Sequence, residues 1–294
     1  MHIDDSFIHC AAFIGFQTER GFRAEGTCFF AGIVEENQNF PYAITARHVV
    51  DSFGSKDILI RVQRKPPLRP CIISTISDEW ICHQDKNVDI CVYQIDWREW
   101  DKDGDLEIIT LNAPDIFIDK KRGEHFGFGI GSDIFIPSAF IGMTGEKQNI
   151  PVVRFGHVSA MALEPMAGSP RTPAFLIETR SLGGMSGSPV MFHTDPGRKY
   201  RRQPLPTDPN TGLRVAPYLL VGILVGTWSG QYVLDFLQEK DRILLTDAEF
   251  NSGISVVLPA PQIVEVLYQQ QLRDARLASI EEIRLISGYR SLGV

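Results

Sequence analysis

At 294 residues the chain is long enough for one large domain or two small ones. With 44% hydrophobic and 22% charged residues it has the composition of a globular protein, and a formal net charge of −7 argues against general nucleic-acid binding. No stretch approaches the roughly 18 consecutive apolar residues of a membrane-spanning helix, so no membrane partner is expected.

The N-terminus, Met1 to Ser6, is acidic where a signal peptide is basic. The apolar run Ile8 to Phe16 is followed by Gln17-Thr18-Glu19-Arg20, not by a small-residue cleavage site. It reads as a first strand, and the protein is expected to be cytoplasmic. Runs rich in Ile, Val, Phe, Thr or Cys follow at 26–34, 40–46, 57–63, 71–77 and 88–95. Glu35 to Asn39 and Pro66 to Pro70 punctuate them. Six such strands suit a small closed barrel, which leaves no exposed edge. Val49 to Phe53 reads as a helical turn, Trp97 to Asp105 as a charged loop and 106–123 as a connector. The strand rhythm then resumes at 132–136, 150–160, 173–179, 188–193, 217–225 and 253–258. Periodicity by itself supports an all-β chain of many short strands.

His193 to Pro217 holds Arg198-Lys199-Tyr200-Arg201-Arg202 and several prolines, and reads as a long surface loop. Pro261 to Tyr268 opens a helical pattern, and 279–294 form a tail with no legible role. The five cysteines, Cys10, Cys28, Cys71, Cys82 and Cys91, all lie in the first third of the chain. An odd number does not suit a disulfide framework. Cys71, Cys82, His83 and Cys91 lack the closely spaced pairs of a structural zinc site. Free, mostly buried thiols are expected.

Three stretches carry chemistry. The first is Thr45-Ala46-Arg47-His48, an apolar run ending in histidine. The second is Asp89-Ile90-Cys91-Val92, an aspartate heading an apolar run. The third is Gly184-Met185-Ser186-Gly187-Ser188-Pro189. Three glycines in the five residues Gly183 to Gly187 would weaken a strand or helix, but they allow a sharp turn that brings backbone N–H groups close to a ligand. The N–H groups of Gly184 and Ser186 can then converge beside the Ser186 hydroxyl and hold an oxyanion. A serine hydroxyl is a poor nucleophile. It needs an imidazole to take its proton and a carboxylate to orient that imidazole. His48, Asp89 and Ser186 supply these in the order His, Asp, Ser, at spacings of 41 and 97 residues.

On these pieces the chain resembles the trypsin-like serine proteases, in particular the bacterial-type cytoplasmic peptidases. The resemblance spans about residues 8–270. It implies an all-β fold of two six-stranded Greek-key β-barrels with a C-terminal helix. Residues 1–115 would form the N-terminal barrel with His48 and Asp89. Residues 116–278 would form the C-terminal barrel with Ser186 and the closing helix, leaving 279–294 as the tail. It further implies a serine endopeptidase acting through an acyl-enzyme, with no cofactor and no metal. The substrate would be a protein or peptide. Apart from the resemblance, a protease without a secretion signal must be kept from damaging its own cell, which points to narrow specificity or an activating protein partner. The segment before Ser186, with Arg180, Leu182 and Gly183, and the later strand Val225-Gly226-Thr227 would bind substrate. Arg180 is expected to face solvent, because a buried unpaired guanidinium is costly. Met185 cannot form the ion pair that switches on secreted digestive relatives, so activation by a new N-terminus is not expected. Asp85 competes with Asp89 for the acid role, and Asp89 is preferred because an apolar strand follows it. A latent or inactive trypsin-fold binding or scaffold protein is the alternative reading.

Overall fold

Alternating apolar and polar residues in the first third of the chain become strands that curl around one core. A computed structural model describes residues 3, 5–113, 115–141, 143–162, 172–180, 183–194, 217–229 and 251–291. The N-terminal half contains β1 (Ala11–Thr18), β2 (Gly21–Glu35), β3 (Gln38–Thr45), β4 (Ile58–Val62), β5 (Cys71–Thr75), β6 (Ile81–Cys82), β7 (Cys91–Gln94) and β8 (Leu111–Ala113). They form one sheet in the order β5-β4-β1-β2-β3-β7-β6, with β8 added parallel to β2. Glu36 and Asn37 join β2 to β3 with φ of 48° and 60°. That is the two-residue left-handed turn whose twist matches a hairpin. Ile58, Ile60 and Val62 of β4 share a core cluster with Trp80 and Cys91, although β1, β2 and β3 lie between them in the sheet. The sheet therefore rolls up on itself.

The C-terminal half contains β9 (Asp133–Ser138), β10 (Val152–Ala162), β11 (Ala174–Glu178), β12 (Pro189–His193), β13 (Tyr218–Ser229) and β14 (Asn251–Pro259). Hydrogen bonding closes them as β10-β11-β14-β13-β12-β9. Ile134, Ile136, Val158, Ile177, Val190, Val221 and Val257 fill the interior. Among the described residues the helices are α1 (Arg47–Asp51), α2 (Trp97–Trp100), α3 (Lys120–Phe126), α4 (Ala260–Leu267) and α5 (Gln270–Ser291). This is the expected all-β trypsin-like arrangement of two halves with a C-terminal helix. No helix among the described residues is long and apolar enough to cross a membrane. Also among the described residues, no group of three or more metal-ligating side chains comes together.

Several details differ from the sequence expectation. Residues Asp5–Cys10 form a 3-10 turn, so the first strand starts at Ala11. The stretch from Trp97 opens with α2, because Asp96 caps it by accepting from the Arg98 and Glu99 N–H groups. Within the connector, Asp119 caps α3 and Gly127, at φ 68°, ends it. Most of the 193–217 loop, 195–216, lies outside the described residues. The expectation of free thiols fails for two cysteines: Cys82 and Cys91 face each other across β6 and β7 and form a disulfide. Cys10, Cys28 and Cys71 are free.

The C-terminal helix has a structural role. Helix α5 runs unbroken from Gln270 through 279 to Ser291. Arg276, fully buried, reaches back to the N-terminal sheet. It donates to the Tyr42 hydroxyl at 2.9 Å, the Leu267 carbonyl at 2.8 Å, and Glu35 at 3.0 and 3.1 Å. Arg276→Ala should destabilise the protein by about 3 kcal/mol, since removing one member of a buried pair strands the others. That figure is at the lower end because Glu35 keeps partial solvent contact. A urea midpoint shift measures it.

Candidate active site

His48 is presented by a tight connection. β3 ends at Thr45, Ala46 stays extended, and α1 begins at Arg47. Val49 and Val50 bury into the core and anchor this short helix, leaving His48 half-exposed at the edge. Asp89 comes from the turn between β6 and β7. Its Oδ2 lies 2.6 Å from His48 Nδ1, and its Oδ1 accepts from the His48 backbone N–H at 2.8 Å. One carboxylate thus holds both ring and backbone. An ionised carboxylate only accepts hydrogen bonds, so Nδ1 carries the proton and Nε2 is the free base. Partial burial alone would lower the His48 pKa. The hydrogen bond and charge of Asp89, with the charge of Asp51, outweigh it and raise the pKa above the usual imidazole value.

Asp85 is occupied elsewhere. Its Oδ1 accepts from the backbone and side-chain N–H groups of Asn87 at 2.9 and 2.8 Å, shaping the turn. The Cys82–Cys91 disulfide closes the base of this turn. Gln269 Nε2 donates to the Cys82 carbonyl at 3.2 Å, and His83 Nε2 lies 3.0 Å from Glu265. The Asp89 turn is thereby tied to the C-terminal helices.

Ser186 sits half-buried in a turn between Gly184, at φ 92°, and Gly187, at φ 87°. The Gly187 N–H donates to the Leu224 carbonyl of its own barrel at 2.8 Å, and the Ser186 carbonyl accepts from Thr27 N–H of β2 at 3.0 Å. The peptide after Ser186 is therefore held from both halves. A Cβ on Gly187 would stand 2.0 Å from the Thr27 carbonyl and 2.3 Å from Thr45 Oγ1. Only glycine permits this approach. A Cβ on Gly26 would meet Val49 Cγ1 at 2.9 Å and the Ser186 carbonyl at 3.3 Å, so the helix bearing His48 and the turn bearing Ser186 converge over Gly26. Met185 is buried in the second core, giving the turn an apolar anchor.

The substrate-binding candidates are placed as follows. β12 pairs with β13 only as far as Ile223. Beyond it, Gly226 and Thr227 pair with β14 on their other side, and among the described residues no strand pairs with their edge next to the Ser186 turn, with an irregularity at Val225. Gly183 is exposed within that turn, and Leu182 lies outside the described residues. Arg180 is exposed and lines a cleft of about 520 Å³ with Asp133, Phe155, His157 and Glu178. Thr27 belongs to the site without having been marked by any motif, because a buried threonine in a strand reads as an ordinary β-residue.

No family model matches the chain, and no curated protein matches it in sequence. Among solved structures, the chain is similar to the inactive form of the Rv3671c protease of M. tuberculosis (14% identity over 88% of each chain, TM-score 0.43). It is also similar to the apo MamO protease domain from Magnetospirillum magneticum (12% identity over 80% of this chain and 99% of that one, TM-score 0.47). A third similar structure is the HtrA-type protease AlgW with a tripeptide (13% identity over 91% of this chain and 65% of that one, TM-score 0.45). At these identities the likeness concerns the overall chain path and carries no argument about activity.

Proposed function

We propose that the protein is a serine endopeptidase in which Ser186, His48 and Asp89 act together. The observation that carries this reading is the double hold of Asp89 on His48, through ring Nδ1 and backbone N–H. It leaves Nε2 free and oriented, the state a general base requires. Ser186 Oγ attacks the scissile carbonyl carbon while its proton passes to His48 Nε2. The N–H groups of Gly184 and Ser186 hold the oxyanion. Collapse breaks the C–N bond, and His48 returns the proton to the departing amine. Water then enters with His48 as base, and the acyl-enzyme is hydrolysed. An extended peptide adds to the edge at Gly226 and Thr227. The apolar anchor of Met185 supports a turn formed without a newly cut N-terminus.

The pH dependence tests this. His48 works only when neutral, and its pKa lies above the ordinary value of about 6.5. Acylation by a chromogenic ester should therefore be low in acid and rise through an inflection above pH ~6.5 to a plateau. An acylation rate that is flat across this range would contradict His48 as the base.

A further inference from the structure

Thr27 is fully buried in β2, in the half that carries His48. Every polar atom of this residue leads to the site. Its N–H donates to the Ser186 carbonyl at 3.0 Å. Its carbonyl accepts from the Thr45 hydroxyl at 2.7 Å, three residues before His48. Its own hydroxyl donates to the Gly184 carbonyl at 2.8 Å and accepts from the Ala139 N–H at 2.8 Å. A hydroxyl has one proton. With Ala139 filling an acceptor position, that proton is committed to Gly184.

The two carbonyls held by Thr27 belong to the peptide units that follow Gly184 and Ser186. These are the two residues whose N–H groups would bind the oxyanion. Gly184, at φ 92°, has no side chain to restrain its backbone. From the second barrel, Ile141 Cγ1 closes the space within 2.8 Å of where a Gly184 Cβ would stand. The Gly184 N–H lies on the peptide before this residue and its carbonyl on the peptide after it, and the Thr27 hydroxyl pins the residue at that carbonyl.

We propose that Thr27 is a positioning residue for the oxyanion hole: its hydroxyl, braced by the Ala139 N–H, fixes the peptide after Gly184 and keeps the Gly184 N–H aimed at the reacting carbonyl. The proposal rests on the hydrolase reading above. It assigns Thr27 no contact with substrate and no proton transfer.

The test compares Thr27→Val, which keeps the shape and removes the hydroxyl, with Thr27→Ser, which keeps the hydroxyl. The probe is p-nitrophenyl acetate. Ser186 Oγ bonds to the acetyl carbon, p-nitrophenolate leaves, and the serine proton passes to His48, so the burst of p-nitrophenolate reports acylation. In Thr27→Val the acylation rate constant should fall about 10- to 100-fold, the scale expected for a misplaced oxyanion donor. The concentration dependence on ester and the pH inflection should stay as in the wild type. Thr27→Ser should remain within about threefold of the wild type, as a retained hydroxyl implies. Acylation of Thr27→Val at the wild-type rate, or of Thr27→Ser as slowly as Thr27→Val, would overturn the proposal. So would a moved pH inflection, which would place the damage at His48. If Thr27→Val does not show a cooperative melt, Thr27→Cys takes its place, with the same fall expected from its weak donor. A wild type without any burst overturns the hydrolase reading, and the Thr27 proposal with it. A wild-type burst with unaffected Thr27 variants overturns the Thr27 proposal alone.

Discussion

Ser186→Ala should lower kcat on a peptide substrate by about a millionfold, the scale seen when a nucleophile of this kind is removed. The residual rate would come from the oxyanion donors and from binding. The fold should not register the change. The Ser186 turn is held through its backbone: the Ser186 carbonyl by Thr27, the Gly187 N–H by Leu224, and the Met185 carbonyl by the Ser188 N–H at 3.0 Å. None of these bonds uses the Ser186 hydroxyl. Turnover measured beside a thermal melt should therefore show lost activity at an unchanged Tm. A joint loss of both would mean that Ser186 is a structural residue.

Asp89→Asn should lower kcat by about 10,000-fold, for a different reason. The asparagine oxygen can still accept the His48 backbone N–H, so α1 keeps its place. Its NH2 group would face Nδ1 and offer a proton where Asp89 accepts one. The imidazole must then carry its own proton on Nε2, the nitrogen that has to be free. The charge that raises the His48 pKa is lost as well, so the inflection of the remaining activity should move to lower pH. A pH profile of kcat for this variant reads both effects. A variant with near wild-type kcat would remove Asp89 from the chemistry.

The strand rhythm and the three short motifs were legible because they are local. Among the described residues, twelve of the fourteen strands lie at runs of β-branched and aromatic residues. β6, with two residues, and β8, with three, are too short to show a period. Glycine was informative for a physical reason: Gly187 stands where a Cβ would collide with the Thr27 carbonyl. The choice of Asp89 over Asp85 followed from the strand beginning at Cys91, and the geometry brings Asp89 to His48. The Cys82–Cys91 pair was missed because it depends on the register of β6 against β7, which parity of cysteines does not reveal. Thr27 and Arg276 were missed because their roles lie in partners far away in sequence. Thr27 meets Gly184 across 157 positions and Arg276 meets Glu35 across 241. A buried arginine can be recognised only once its acceptors are in place. Arg61 is a second example: it is buried on β4 and donates to the Thr144 and Gly145 carbonyls at 2.7 Å and to Asn149 at 2.8 Å, tying the second half to the first.

The central claim is that Ser186 is an activated nucleophile. The most direct measurement is labelling of the purified wild-type protein and of Ser186→Ala with a fluorophosphonate probe, followed by mass mapping of the modified peptide. The account predicts one modification, on Ser186, which is absent from the alanine variant. An unlabelled wild-type protein, or a label on another residue that persists in Ser186→Ala, would contradict it.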